Sequence, residues 1–217
     1  MRRSTQAIIN RFFNRFGVLN NCRTAVENAI TKIVMCYQNN NKVLICGNGG
    51  SASDSEHIVG ELMKGFMLER PLRKDEQTKI KEMFPETADY LIKYLQTPIP
   101  AISLVSQTSL MTAYANDRAP DLFFAQQVLG YGNQGDILLA ITTSGNSKNV
   151  IYAAQIAKMK GMTVISITGQ SGGEIRKYTD ILINVPADIV YEIQEYHLPI
   201  YHTICLSVEN ELFSSGD

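Results

Sequence analysis

The chain has 217 residues, 45% of them hydrophobic and 19% charged, with a formal net charge of −1 at neutral pH. This describes a globular domain, alone or with an appendage, and excludes a strong global field for nucleic acid or anionic lipid. No run approaches the ~20 consecutive apolar residues that a membrane-spanning helix needs.

The basic N-terminus, MRRSTQAIINRFFNRF, has its apolar residues interrupted by Arg, Asn and Gln, so it lacks the continuous core of a signal peptide. Ile8, Ile9, Phe12, Phe13 and Phe16 recur at helical spacing and predict an amphipathic helix, with a transit peptide as the alternative. Residues 4–38 read as two helices broken near GVLNN, giving an N-terminal helical pair over 1–40; the second helix carries Ala25, Ile30, Ile33, Val34 and Tyr37 on one side. Strands and helices then alternate. KVLIC (42–46) reads as a buried strand and 51–66 as a helix with Ser51 or Ser53 as its N-cap. Strand 100–105 leads to helical TSLMTAYAND, and strand 136–142 to helix 147–160. Strand 162–168 precedes GQSGG and a short helix, and strand 180–186 precedes a final helix over about 190–213.

Strands that are apolar throughout, separated by helices, predict an α/β fold: one domain over 1–217, a five-stranded parallel sheet with helices on both faces, flavodoxin-like. Ligands of such folds settle at the carboxyl ends of the strands. Residues 67–100 interrupt the alternation and hold many of the charges, so they read as an insertion: a lid, a partner surface, or simply a solvated face. The four cysteines, Cys22, Cys36, Cys46 and Cys205, form no CxxC pair, which argues against a cysteine zinc knot or disulfide scaffold and for a reduced, cytoplasmic setting. Cys46, at a strand end, reads as a small packed apolar residue.

Two loops fall at the carboxyl edge. After the first strand, Asn48, Gly49, Gly50 and Ser51 suit close approach of a polar ligand to main-chain N–H groups at a helix start. The run lacks the last glycine of GxGxxG and the Lys-Ser/Thr of a P-loop, and a plain tight turn explains it equally well. After the third strand, Thr142, Thr143, Ser144 and Ser147 surround Gly145. Four hydroxyls can hydrogen-bond phosphate oxygens without fixed positive charge, whereas capping by Ser147 explains only one of them.

The three histidines are His57, His197 and His202. His57 and Glu61 stand four apart on one helix face. Gln194 and His202 are eight apart on the last helix, roughly on one side and ~80° off. Two nitrogens and a carboxylate suit zinc or a similar divalent ion, with a glutamine oxygen as a weaker ligand; a surface His/Glu pair is the plainer reading. His197, ~140° from His202, faces a neighbouring subunit or packs inside.

GDILLAITTSGNS resembles the signature of the sugar isomerase (SIS) domain, whose Ser/Thr loop holds a sugar phosphate. CGNGGSASDSEHIVGEL, YANDRAPDLFF, GMTVISITGQSGG and IQEYHLPIYH together resemble the phosphoheptose isomerases, over essentially the whole chain except 67–100. The resemblance implies interconversion of sedoheptulose 7-phosphate and D-glycero-D-manno-heptose 7-phosphate by a homotetramer with sites at subunit boundaries. It implies a phosphate grip from Thr142, Thr143, Ser144 and Ser147, and sugar contacts from the Asn48–Gly49–Gly50–Ser51 turn, Asn116, Asp117 and Gln194. Glu61 and His202 match the family's catalytic pair. His57, Glu61, Gln194 and His202 match the ligands of one zinc ion per site.

Aldose–ketose isomerisation moves a proton between adjacent carbons through an enediol, which needs a base for the C–H and an acid for the oxygen. A carboxylate raised by burial and a histidine suit those roles. Direct metal ligation would restrict Glu61 as base, and both roles stay open. Tyr191 stands where the family often has an acidic residue, with Glu192 beside it, which loosens the substrate assignment. Two other functions compete. One is a non-catalytic adaptor, since close SIS relatives act as protein adaptors, including one that binds the bacterial replication initiator. The other is a sugar-phosphate sensor, although no helix-turn-helix module or basic stripe accompanies the domain.

Overall fold

Five apolar runs pair side by side as parallel strands, β1 Val43–Gly47, β2 Ala101–Ser103, β3 Ile137–Ile141, β4 Thr163–Thr168 and β5 Ile181–Asn184, in the order β2-β1-β3-β4-β5. The structure is a computed structural model that describes residues 1–215. Side chains along each strand alternate between two cores. Val43 and Ile45 of β1 face one, with Ile137, Leu139 and Ile141 of β3; Leu44 and Cys46 face the other, with Leu138 and Ala140. Both faces are therefore apolar, and the strands read as continuous hydrophobic runs for that reason.

Helices α1 Arg3–Arg15, α2 Arg23–Gln38, α3 Gly50–Met63 and α9 Val190–Phe213 cover the first face. Helices α7 Phe123–Tyr131 and α8 Lys148–Met159 cover the second, with α6 Thr108–Asp117 alongside α7. The segment 67–100 carries α4 Lys74–Met83 and α5 Ala88–Tyr94, which pack on each other. No residue of α4 is buried. The segment closes at its base, where Pro71 bridges Gln96 and the Gly65 N–H donates to Gln96 Oε1 at 2.7 Å.

Three local expectations are corrected. The N-cap of α3 is Gly49, at φ +56°, rather than Ser51 or Ser53; Ser51 is buried inside the helix and its N–H donates to the Asn48 carbonyl. Helix α3 ends at Met63, short of Phe66, because the Phe66, Met67 and Leu68 amides turn to the Glu209 carboxylate at 2.7, 2.7 and 3.1 Å. Helix α7 was not anticipated; Phe124, Ala125 and Val128 bury its apolar stripe. Cys46 packs as expected, and all four cysteines are free and buried.

Candidate active site

In this strand order the connections run in opposite directions from β1 and β3, leaving a crevice between the carboxyl ends of those two strands where doubly wound folds bind ligands. Both loops singled out above flank it, and they are tied together. Asn48 Nδ2 donates to Asn149 Oδ1 at 2.9 Å, and Asn149 Nδ2 donates back to Asn48 Oδ1 at 2.8 Å. Asn48, Gly49 and Gly50 are exposed at the rim. Gly50 is needed for close approach: a Cβ there would lie 2.5 Å from Nε2 of Gln194.

The hydroxyls of the second loop divide into two pairs. Thr142 Oγ1 lies 3.4 Å from Ser147 Oγ within the turn. Thr143 and Ser144 line a cleft of about 240 Å³ with Asn146, Gly169, Ser171 and Asp188. Ser147 occupies the N-cap position of α8, yet its side chain makes no cap hydrogen bond, so capping does not consume that hydroxyl. Gly145 sits at φ +69°, and a Cβ there would fall 2.2 Å from the Gly172 carbonyl oxygen, so only glycine lets the two loops touch. Asn146 Oδ1 accepts the Glu174 N–H at 2.9 Å and holds the far wall. The helix start behind this turn adds a favourable field for an anion.

The titratable residues gather elsewhere, between α3 and α9. His57 Nε2 lies 3.3 Å from Glu61 Oε1. The rings of His57 and His202 stand edge to face with centroids 5.0 Å apart, and Phe66 covers His202 at 5.6 Å. Glu61 Oε2 and His202 Nε2 are buried without a hydrogen-bond partner. Lys64 Nζ approaches Glu61 Oε2 only to 3.5 Å. Burial pushes the His202 pKa down and the nearby His57 adds to that, against an opposing pull from Glu61. His202 is thus favoured neutral, able to accept a proton or to offer a lone pair.

Gln194 makes no hydrogen bond to His57, Glu61 or His202; its amide rests against Gly50. Eight residues of helical rise, ~12 Å, separate it from His202 along α9. Among the described residues, no group of three or more His, Cys, Asp or Glu side chains is already converged as a metal site. His57, Glu61 and His202 nevertheless fit one chemically. They supply two nitrogens and a carboxylate, and two of their atoms are buried without a hydrogen bond. The 3.3 Å between His57 Nε2 and Glu61 Oε1 is close to the ~3.3 Å edge of a tetrahedron with ~2.0 Å zinc–ligand distances. Asn116 Nδ2 donates to Asp117 Oδ1 at 2.9 Å; both are exposed at the end of α6, and neither bonds to the cluster. His197 is fully buried. Burial drives its pKa to about 4, the Thr168 backbone opposes that in part, and neither ring nitrogen completes a hydrogen bond.

Several supporting residues escaped the sequence reading. Arg70, 1% exposed, donates from Nε to Glu209 Oε1 at 2.8 Å and from Nη1 and Nη2 to the Leu62 and Glu61 carbonyls at 2.7 and 3.2 Å. Glu209 in turn holds the Phe66–Leu68 amides, so one buried ion pair ties the end of the Glu61 helix to the loop that packs on His202. The seven-residue spacing of Glu209 from His202, two turns on the same helix face, was the available signal. Tyr201 donates to Asp54 Oδ1 at 3.2 Å and lies 3.0 Å from His57 Nδ1. Burial raises the Asp54 pKa, against the Tyr201 hydrogen bond and His57; burial and Asp54 push the Tyr201 hydroxyl far up.

Comparison with known proteins places this geometry. The SIS domain family model matches residues 17–83 and 77–169. A phosphoheptose isomerase of Shewanella loihica is 37% identical over 196 residues, covering 89% of this chain and 86% of that protein. Phosphoheptose isomerase 2 of Campylobacter jejuni is 37% identical over 196 residues, covering 90% and 85%. Among solved structures, a phosphoheptose isomerase from Francisella tularensis superposes with a TM-score of 0.74 at 32% identity, covering 93% of this chain and 96% of that one. The enzyme from Neisseria gonorrhoeae gives 0.67 at 32% identity, covering 94% and 96%. No helix among the described residues is long and apolar enough to cross a membrane. The chain therefore belongs to the SIS domain family, alongside the phosphoheptose isomerases, and is a sugar-phosphate isomerase.

Proposed function

We propose that the enzyme interconverts sedoheptulose 7-phosphate and D-glycero-D-manno-heptose 7-phosphate, with Glu61 as base and His202 as acid. The observation that carries this reading is that Glu61 and His202 both stand beside His57 within one protomer, each with a buried polar atom that makes no hydrogen bond. The cluster lies more than two turns of α9 from the hydroxyl-lined cleft that Val190 and Ile193 help to form. An open-chain heptose phosphate also has its carbonyl and its phosphate at opposite ends.

Thr143 and Ser144 bind the phosphate, Thr142 and Ser147 hold the turn and complete the grip, and the α8 N-terminus favours its charge. The Asn48–Ser51 turn, Gln194, Asn116 and Asp117 serve the sugar hydroxyls. Glu61 Oε2 takes the proton from the carbon beside the carbonyl and returns it to the neighbouring carbon. His202 Nε2, once protonated, donates to the carbonyl oxygen, which becomes a hydroxyl, and then takes the proton of the neighbouring hydroxyl as that oxygen becomes the new carbonyl. Phe66 excludes water from the His202 side. Zinc, when bound, would be held by His57, Glu61 and His202 and would supply a Lewis acid for the carbonyl. The working form on this reading is a cytoplasmic homotetramer.

The test is incubation with sedoheptulose 7-phosphate and a panel of ketose phosphates in D₂O, with and without zinc, followed by NMR. Deuterium entering at the carbon beside the carbonyl, and lost in Glu61→Gln, supports the assignment. Exchange with another ketose phosphate alone reassigns the substrate. Silence across the panel from a folded protein favours an adaptor.

A further inference from the structure

Tyr201 is 1% exposed and lies between Asp54 and His57, with its oxygen 3.2 Å from Asp54 Oδ1 and 3.0 Å from His57 Nδ1. A phenol has one proton to give. An ionised carboxylate can only accept, so that proton goes to Asp54. The Tyr201 oxygen is then left with lone pairs toward His57, and the contact at Nδ1 is a hydrogen bond only if Nδ1 carries the proton. A neutral imidazole with its proton on Nδ1 has a bare lone pair on Nε2, the atom 3.3 Å from Glu61 Oε1. Nε2 and the carboxylate then face each other as two electron-pair donors.

We propose that Asp54 and Tyr201 form an orienting relay that holds His57 in the Nδ1–H tautomer and keeps Nε2 an electron-pair donor aimed at Glu61. Both are positioning residues that act through His57 and do not touch the reacting carbons. The relay also explains why a tyrosine is buried next to His202: its hydroxyl is the part that reaches across to α3, while its ring packs edge-on against both histidines, at 5.6 Å from His57 and 5.0 Å from His202. Asp54, His57 and Glu61 succeed one another at three and four residues along α3, so one helix face presents the whole series. The consequence for activity and for zinc rests on the isomerase reading above; the tautomer does not.

The test is ¹⁵N NMR of the three histidines in the metal-free protein, about two pH units above the ordinary imidazole value of ~6.5. His57 is assigned by its disappearance in His57→Gln. Wild-type His57 should show a protonated Nδ1. Tyr201→Phe should abolish that preference. Asp54→Ala, which frees the phenol proton to turn toward His57, should move the imidazole proton to Nε2. An Nε2–H tautomer in the wild type overturns the relay, and so does an unchanged Nδ1–H tautomer in either folded variant. Because the wild-type measurement stands alone, a variant that fails to fold leaves the proposal falsifiable. Zinc binding, measured by calorimetry with zinc alone, should weaken about 10–100-fold in Tyr201→Phe, with kcat down about 10-fold and KM held; unchanged zinc affinity and kcat would overturn the relay's functional part. A wild type with no isomerase activity but a protonated Nδ1 defeats the functional reading while the relay stands.

Discussion

The two ends of the site are built on opposite principles. The cleft at the end of β3 takes hydroxyls and a helix N-terminus from residues 142–147 and is walled by the loops after β4 and β5, with Gly169, Ser171 and Asp188, and it is open to solvent. The cluster between α3 and α9 uses titratable side chains whose partners lie 144 and 147 positions apart in the chain, as in the His57–Tyr201 and Asp54–Tyr201 contacts. Holding an anion requires donors at fixed geometry, which one loop can supply by itself. Moving a proton requires a base and an acid brought together from separate elements, and that convergence comes only from packing one element on another.

The sharpest test of that division is Glu61→Gln, which keeps shape but removes the base. It should lower kcat by about 10²–10⁴-fold with KM for the sugar phosphate nearly unchanged, read by deuterium exchange. A large rise in KM instead would mean that the two ends are not separable. Next in size is Arg70→Met. It strands the Glu209 carboxylate, whose side chain is 1% exposed, and should cost ~3–5 kcal/mol in denaturant unfolding. Arg70→Lys should recover only part of this, because one ammonium cannot span Glu209 and both α3 carbonyls with Arg70's fork geometry.

A smaller effect concerns pH. Burial holds the His197 pKa at about 4, against ~6.5 in the unfolded chain. Between those values the unfolded state binds a proton that the folded state refuses. The stability is therefore complete above ~6.5 and falls as pH drops toward 4, by ~3 kcal/mol. Urea titrations across that window should show the decline, and His197→Leu should flatten this component. The smallest change is expected from Ser144→Ala in the cleft. Loss of one hydrogen bond to the charged phosphate, ~1.5–3 kcal/mol, should raise KM about 10–100-fold and leave kcat within about twofold. A fall in kcat with KM unchanged would place Ser144 in the chemistry instead of the grip.

Much of the fold was legible because each strand is apolar on both faces and each loop carries its own turn chemistry. The Thr142–Ser147 loop could be recognised from its residues, since strand, glycine and helix follow in direct succession. The i, i+4 relation of His57 and Glu61 was equally plain. Helix α7 escaped because its apolar residues follow a turn-rich stretch and resemble a short strand as much as a helix. The early end of α3 escaped because its cause, the Glu209 carboxylate, lies more than 140 positions away.

The sequence by itself determined the layered parallel sheet and the hydroxyl loop, because these follow from periodicity and from neighbours a few residues apart. Only the tertiary structure decided that His202 faces His57 rather than Gln194, that Arg70 and Glu209 lock the base helix in place, and that Tyr201 spans Asp54 and His57. Each of these depends on how α9 lies against α3. That placement is set by side-chain packing across the whole core, which no local pattern encodes.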